Sequence, residues 1–436
     1  MSKIISKSIS ITSEWGTVRL GDVVETSAGG TPSRGSRGMF GGSIPWVKSS
    51  ELNQRRIVVT EETLTNEGFT SSAAKWVEAG TPLIALYGAT AGVVGWLELR
   101  ACTNQAVLAL TPRNKSVTHR WIYWIASYCA SRLIASVQGS GQPNLNKGIV
   151  DELTLHLPSP TEQSRIAAVL DTVDEAIAKT EAVIAKLKQV RAGLLHDLLT
   201  RGLDENGQLR DPIAHPEQFQ DSPIGRIPNA WRIAQLCEVA DIASGVTLGK
   251  NPTGAGTLEL PYLRVANVQD GYLDLADVKT VRIFSSELDR FQLKYGDVLM
   301  NEGGDYDKLG RGTVWESQIP VCLHQNHVFR VRCRSDILNC YFLTAVSGSE
   351  VGKRYFLRSS KQSTNLASIN STQLNAFEVP VPHLAEQETI IKVLSAQDNQ
   401  LTVEAAGLTK LRAIKSALMT DLLTGRVRVP ADLDFG

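Results

Sequence analysis

Positions spaced alternately by four and three, apolar at eight of ten, recur along one stretch of the chain: Ile166, Leu170, Val173, Ile177, Thr180, Ile184, Leu187, Arg191, Leu194 and Leu198. This is a heptad seam of about ten turns, which predicts a long helix packed along one stripe. A shift of 224 residues gives Ile390, Leu394, Gln397, Leu401, Glu404, Leu408, Leu411, Lys415, Leu418 and Leu422, the same seam with more polar interruptions. The two predicted helices are therefore copies. Arg191 and Lys415 fall at equivalent seam places, either as a shared structural constraint or because the seam meets solvent near the helix ends. Each helix is expected to start after a proline-bearing break, LPSPTEQ or VPVPHLAEQ, with Thr161 as the N-cap of the first. Each ends at DLLT with a glycine just beyond, Gly202 or Gly425. A helix of about 37 residues is roughly 55 Å long.

The segments ahead of the helices have another texture. Short β-branched runs such as TPLIALYG, PYLRVANV and DVLMNEG alternate with Gly, Pro, Asn and Ser, the pattern of small mixed α+β domains rich in loops. Trp121 to Val137 reads as an internal helix, with a counterpart near Asn339 to Arg354. Residues 201–231, polar and proline-bearing, read as a linker. The repeat extends to these segments: Trp15 and Trp231 each open one copy, CTNQAV (102–107) corresponds loosely to CLHQNHV (322–328), and QPNLNKGIVDELTLHLPSPTEQ corresponds to QSTNLASINSTQLNAFEVPVPHLAEQ. The order is globular domain, long helix, linker, globular domain, long helix. Such a chain can fold with its helices antiparallel about a pseudo-two-fold axis, and duplicated readers at fixed separation suit two half-sites on DNA.

Composition changes the picture in three ways. At 436 residues the chain is long enough for two to four domains. Six scattered cysteines without metal-ligand spacing read as reduced thiols, and no apolar run is long enough for a signal peptide or a membrane span. A soluble cytoplasmic protein with no membrane partner is expected. Forty-five basic and forty-five acidic side chains cancel, so bulk charge gives no support to nucleic-acid binding. P-loop, HExxH, GxSxG, dinucleotide-binding and amino-methyltransferase tetrapeptide signatures are all missing, so catalysis by this chain is not expected.

The order of segments, together with SAGGTPSRG, IPWVKSSEL, YGATAG, TNQAV, PYLRVANVQDGYLDL, GDVLMNEGGDYDKLGRG, HQNHVFRVR and the two EQ-to-LLT helices, resembles the specificity subunits of type I restriction-modification enzymes over essentially the whole chain. The resemblance implies an α+β fold: two mixed α/β target-recognition domains (1–158 and 227–382) joined by two long antiparallel coiled-coil helices (159–202 and 383–425). A linker covers 203–226 and a C-terminal tail 426–436. It also implies a non-catalytic chain that reads a bipartite, asymmetric double-stranded DNA site and docks two methyltransferase subunits, with motor-nuclease subunits joining for restriction. Those partners would use S-adenosylmethionine, ATP and magnesium, and this chain would bind no cofactor or metal of its own. The alternative is a coiled-coil scaffold whose globular ends bind proteins or small ligands.

Phosphate contacts call for Lys, Arg and small polar side chains; base readout calls for forked donors and bidentate amides. Candidates in the first domain are Arg34 and Arg37 in a glycine-rich loop, then Lys48, Ser49, Arg55 and Arg56. In the second they are Arg264, Asn267, Lys308 and Arg311, the last two in GGDYDKLGRG, whose Asp305 and Asp307 are expected to pair with those cations rather than hold a metal. Gln325 and Asn326, within the polar run His324 to His327, present amides either to bases or to the fold itself.

Overall fold

The computed structural model describes residues 15–137, 144–249, 252–304, 309–310, 312–362 and 367–430. Five helices of nine or more residues stand out among them: α1 (His119–Ser136), α2 (Pro160–Thr200), α3 (Cys340–Gly348), α4 (Glu350–Ser359) and α5 (Leu384–Leu423). The chain divides into two compact units, residues 1–182 with 406–436, and residues 183–405. Each unit thus holds one globular half and half of each long helix.

In the first unit the antiparallel strands Val24–Ala28, Val107–Pro112, Pro82–Ala85 and Val94–Leu97 form a sheet that Arg56–Ile57 extends in parallel. A second sheet orders Glu62–Leu64, Phe40–Val47, Ala101–Thr103 and Trp76–Val77. Helix α1 buries Trp121, Ile122, Trp124 and Ile125 in a core shared with Leu20, Leu108, Ile166 and Leu170. Trp124 and Arg120 both bond Asp171 of α2, which fixes α1 to the long helix.

The second unit repeats the plan. Ala240–Ser244, Val328–Cys333, Asp297–Asn301 and Gly312–Val314 form one sheet; Lys279–Phe284, Thr257–Leu263 and Leu323–His324 form another. A small third sheet joins Gly303–Gly304, Ala367–Ser368 and Lys361–Gln362. The counterpart of α1 is broken in two. Ser349 leaves the helical region (ψ 171°), and its hydroxyl accepts the Gly352 N–H to cap α4, so α3 and α4 replace the single helix expected there.

The ten seam positions of each long helix are all buried or half-buried. In the first unit Arg412 of α5 bonds Glu181 of α2 at 2.7 Å, and Lys415 bonds Asp174. In the second, Arg191 of α2 grips both carboxylate oxygens of Asp398 of α5. These pairs run antiparallel, and Asp174–Lys415 and Arg191–Asp398 are copies under the 224-residue shift. Arg191 and Lys415 at the seam are therefore a structural constraint of the kind that sets helix register.

The EQ dipeptides are the other duplicated device. Gln163, fully buried, accepts the Thr118 N–H and donates to the carbonyls of Ser116 and Pro158. Gln387, equally buried, accepts the Asn339 N–H and donates to Ile337 and Pro382. The preceding glutamates take cations from a segment that follows a long helix: Glu162 binds Arg428 and the Trp15 indole (3.2 Å), and Glu386 binds Arg210 (2.6 Å) and the Leu203 N–H (2.8 Å). Gly425 and Gly202, both in the left-handed region, turn the chain beside Trp15 and Trp231 respectively, where a Cβ would press on the indole. The first helix starts at Pro160, and the Ser159 hydroxyl, not Thr161, accepts an N–H of its first turn. No helix among the described residues is long and apolar enough to cross a membrane.

Candidate nucleic-acid interface

In the first unit the two sheet edges bring Arg34 and Lys48 together on one carboxylate. Arg34 lies 3.1 Å from Glu62 with its guanidinium over the rings of Phe40 and Trp46, at 4.9 and 5.7 Å. Lys48 reaches Glu61 at 2.7 Å and Glu62 at 3.0 Å. Hydrogen bonding to Glu61 and Glu62 raises the Lys48 ammonium above its ordinary range, and Lys48 in turn holds Glu62 below the usual carboxylate range. The result is a charge-balanced cluster of two cations and two carboxylates, with Arg34 more than half exposed. Arg37 is exposed in the same loop and forms no ion pair among the described residues. Ser49 opens the short 3-10 helix Ser49–Gln54.

Arg55 and Arg56 are placed differently. Arg55 closes that turn with a positive φ of 63° and points to Asp174 of α2 at 3.7 Å, joining the ion pair with Lys415. Arg56, largely exposed, lies 2.7 Å from Glu98.

In the second unit Arg264 and Asn267 share one loop, in unequal roles. Asn267 is 3% exposed; its carbonyl accepts the Arg264 N–H, and its two amide protons go to the carbonyls of Asp274 and Asp277. It shapes the loop that carries Arg264, whose guanidinium lies 2.9 Å from Asp277. Gln325 and Asn326 are half-buried, with backbone amides bonded to Leu263 and Val246. Beside them His324 is fully buried, donating from Nδ1 to the Val328 carbonyl (2.6 Å), and burial pushes its pKa down to about 4. The fold itself thus uses His324, while His327 pairs with Glu302. Lys308 and Arg311, with Asp305 and Asp307, lie outside the described residues. No cluster of three His, Cys, Asp or Glu able to hold a metal occurs among the described residues.

The family model described as the type I restriction modification DNA specificity domain matches residues 12–189 and again 228–413. The chain belongs to the type I restriction-modification specificity family. Among its relatives, the type I restriction enzyme MjaVIII specificity subunit of Methanocaldococcus jannaschii is 25% identical over 419 residues, covering 95% of this chain and 93% of that one. The EcoBI specificity subunit of Escherichia coli is 24% identical, over 79% of this chain and 74% of its own length. The crystal structure of the type I restriction-modification S subunit from M. genitalium aligns over 94% of this chain and 96% of its own, with TM-score 0.55 and 15% identity. A structure solved for the assembly and conformational transition of a type I system aligns with the same TM-score at 19% identity, over 95% of this chain and 98% of its own.

Sequence reasoning passed over two features of this specificity chain. Gln163 and Gln387 were visible only as repeat landmarks, although a polar residue repeated at the start of two helices signals a buried cap. Lys353 and Arg354 were read only as the end of an internal helix, and Arg358 lay beyond it; their spacing along KRYFLRSSK is what marks an exposed basic stripe.

Proposed function

We propose that this specificity chain reads a bipartite, asymmetric double-stranded DNA site, one half-site per globular half, and performs no chemistry itself. Its paired helices set the spacing of the half-sites and dock two methyltransferase subunits; motor-nuclease subunits complete the restricting enzyme. In that assembly S-adenosylmethionine, ATP and magnesium belong to the partners. The observation that carries the reading is the duplication: a family match in each half, with the Asp174–Lys415 and Arg191–Asp398 pairs repeating across the same shift. Zero net charge is no objection, because a chain held by methyltransferases can leave much of the nonspecific phosphate grip to them.

The test is to co-express the chain with a methyltransferase subunit encoded beside it, in a host lacking adenine methylation, and to map modified bases by long-read sequencing. A single split motif, altered on one side only when residues 1–158 are exchanged, is the expected result. A stable complex with no methylation at any split motif would turn the reading toward a protein-binding scaffold.

A further inference from the structure

We infer that the exposed face of α4 is a phosphate-binding surface, giving the second globular half a backbone grip on double-stranded DNA that α1 does not give the first. The inference rests on the DNA-reading function proposed above and names a surface of it. Helix α4 buries Gly352 and Phe356 and turns Lys353, Arg354 and Arg358 to solvent, with Lys361 exposed just beyond its end. At 100° per residue the three helical cations fall on one side, within an arc of about 140° that also holds the exposed Glu350, so the helical face carries a net charge of +2. None of the four forms an ion pair among the described residues, whereas Arg264, Arg282, Arg330 and Arg332 of the same unit each hold a carboxylate. Unneutralised cations clustered on one face are the electrostatic footprint of a polyanion site.

The face is linked to the glycine-rich loop proposed to touch DNA through Lys361 rather than through the cations of α4. Gly310 packs so closely on Phe356 that a Cβ there would come within 2.1 Å of the ring, so Gly310 lies on the buried side of α4, opposite the cations. Lys361 begins a strand tied, through Ala367–Ser368, to Gly303–Gly304 at the start of that loop. Arg354 and Arg358 further border a groove of about 360 Å³ with Ile224, Tyr355, Phe377 and Glu378. Phe377 is completely covered, while Leu357, 42% exposed, lies among the cations on the face. The equivalent stretch of α1 exposes Ser131, Arg132, Ala135 and Ser136, a single cation. The two halves therefore differ in phosphate grip.

The experiment measures binding of the full chain to a labelled mixed-sequence duplex over a salt series. It compares wild type with the K353A/R354A/R358A/K361A variant and the charge-preserving K353R/R354K/R358K/K361R variant. Each phosphate contact contributes about 0.9 to the slope of log affinity against log salt, so neutralising all four should flatten the slope by up to about 3.6, and the charge-preserving variant should keep it. R358Q alone, flattening it by about 1, serves if the quadruple variant is unfolded by circular dichroism. Wild-type binding with unchanged slopes in the neutralised variants would overturn the α4 surface and leave the DNA reading intact. No duplex binding by the wild-type chain, alone or with its methyltransferase, would overturn the reading beneath it. Loss of methyltransferase co-purification with an unchanged slope would assign the face to a protein partner and overturn the proposal.

Discussion

Lys415 on α5 bonds Asp174 on α2 while its ammonium rests 4.8 Å from the Trp124 ring, so one cation ties both long helices to α1. The pair is about one-fifth exposed on each side. Asp174→Ala leaves Lys415 half-desolvated, and Lys415→Met removes the charge but keeps the stem. A double-mutant cycle read by thermal unfolding should give a coupling of about 1 kcal/mol, with the double variant more stable than Asp174→Ala alone. Zero coupling would remove this pair from the forces that set helix register.

Gln163→Ala and Gln387→Ala each strand three backbone partners, one in a buried bond and two in half-buried ones. With each lost bond worth about 1 kcal/mol and a desolvation penalty added, either substitution should cost about 2–4 kcal/mol. Chemical denaturation should show Gln163→Ala acting on the first unit and Gln387→Ala on the second. Hydrogen exchange at Thr118 and Asn339, whose N–H groups these side chains accept, reports the two sites separately.

His324 makes stability depend on acid. Its folded pKa, about 4, lies below the ordinary value of 6.5 because burial disfavours the charged ring. The unfolded chain therefore binds the proton first: the contribution is complete above pH 6.5 and is lost as pH falls from 6.5 to 4, by about 3 kcal/mol across the window. His324→Asn, whose amide can still donate to the Val328 carbonyl, should flatten this slope in unfolding titrations between pH 7.5 and about 4. An unchanged slope would trace acid sensitivity to other groups.

Arg34→Ala leaves Glu62 held by Lys48 alone. For the assembled enzyme it should weaken duplex binding several-fold and reduce the salt slope by about 1, as for one lost phosphate contact. Lys308→Ala is expected to act likewise in the second half. Wild-type affinity in both would remove these loops from the interface.

Inserting one heptad into α2 alone should disrupt the assembly, because it displaces Arg191 from Asp398 by two turns. Matched heptads in α2 and α5 should restore the pairs and lengthen the gap between methylated half-sites. A gap that stays constant after matched insertion would defeat the spacer role.

The long helices were legible because a heptad seam is a local, periodic signal that keeps its spacing through its polar interruptions, and every seam position from Ile166 to Leu198 and from Ile390 to Leu422 is buried or half-buried. The break at Ser349 was not, since apolar periodicity continues through it and only the serine's capping bond with Gly352 ends α3. Among the cations, sequence offered residue type but not partner. Arg34 and Lys48 meet on Glu62, whereas Arg55 turns to Asp174 through a backbone conformation no periodicity encodes. Asn267 looked like a base reader because amides read adenine; its bonds to Arg264, Asp274 and Asp277 come from a loop closure that becomes visible only in three dimensions.

Glu162 receives Trp15 from a segment ahead of the first globular half and Arg428 from a segment beyond α5. One carboxylate thereby fastens two stretches that lie far apart in sequence, so the first unit is complete only when both have docked on it.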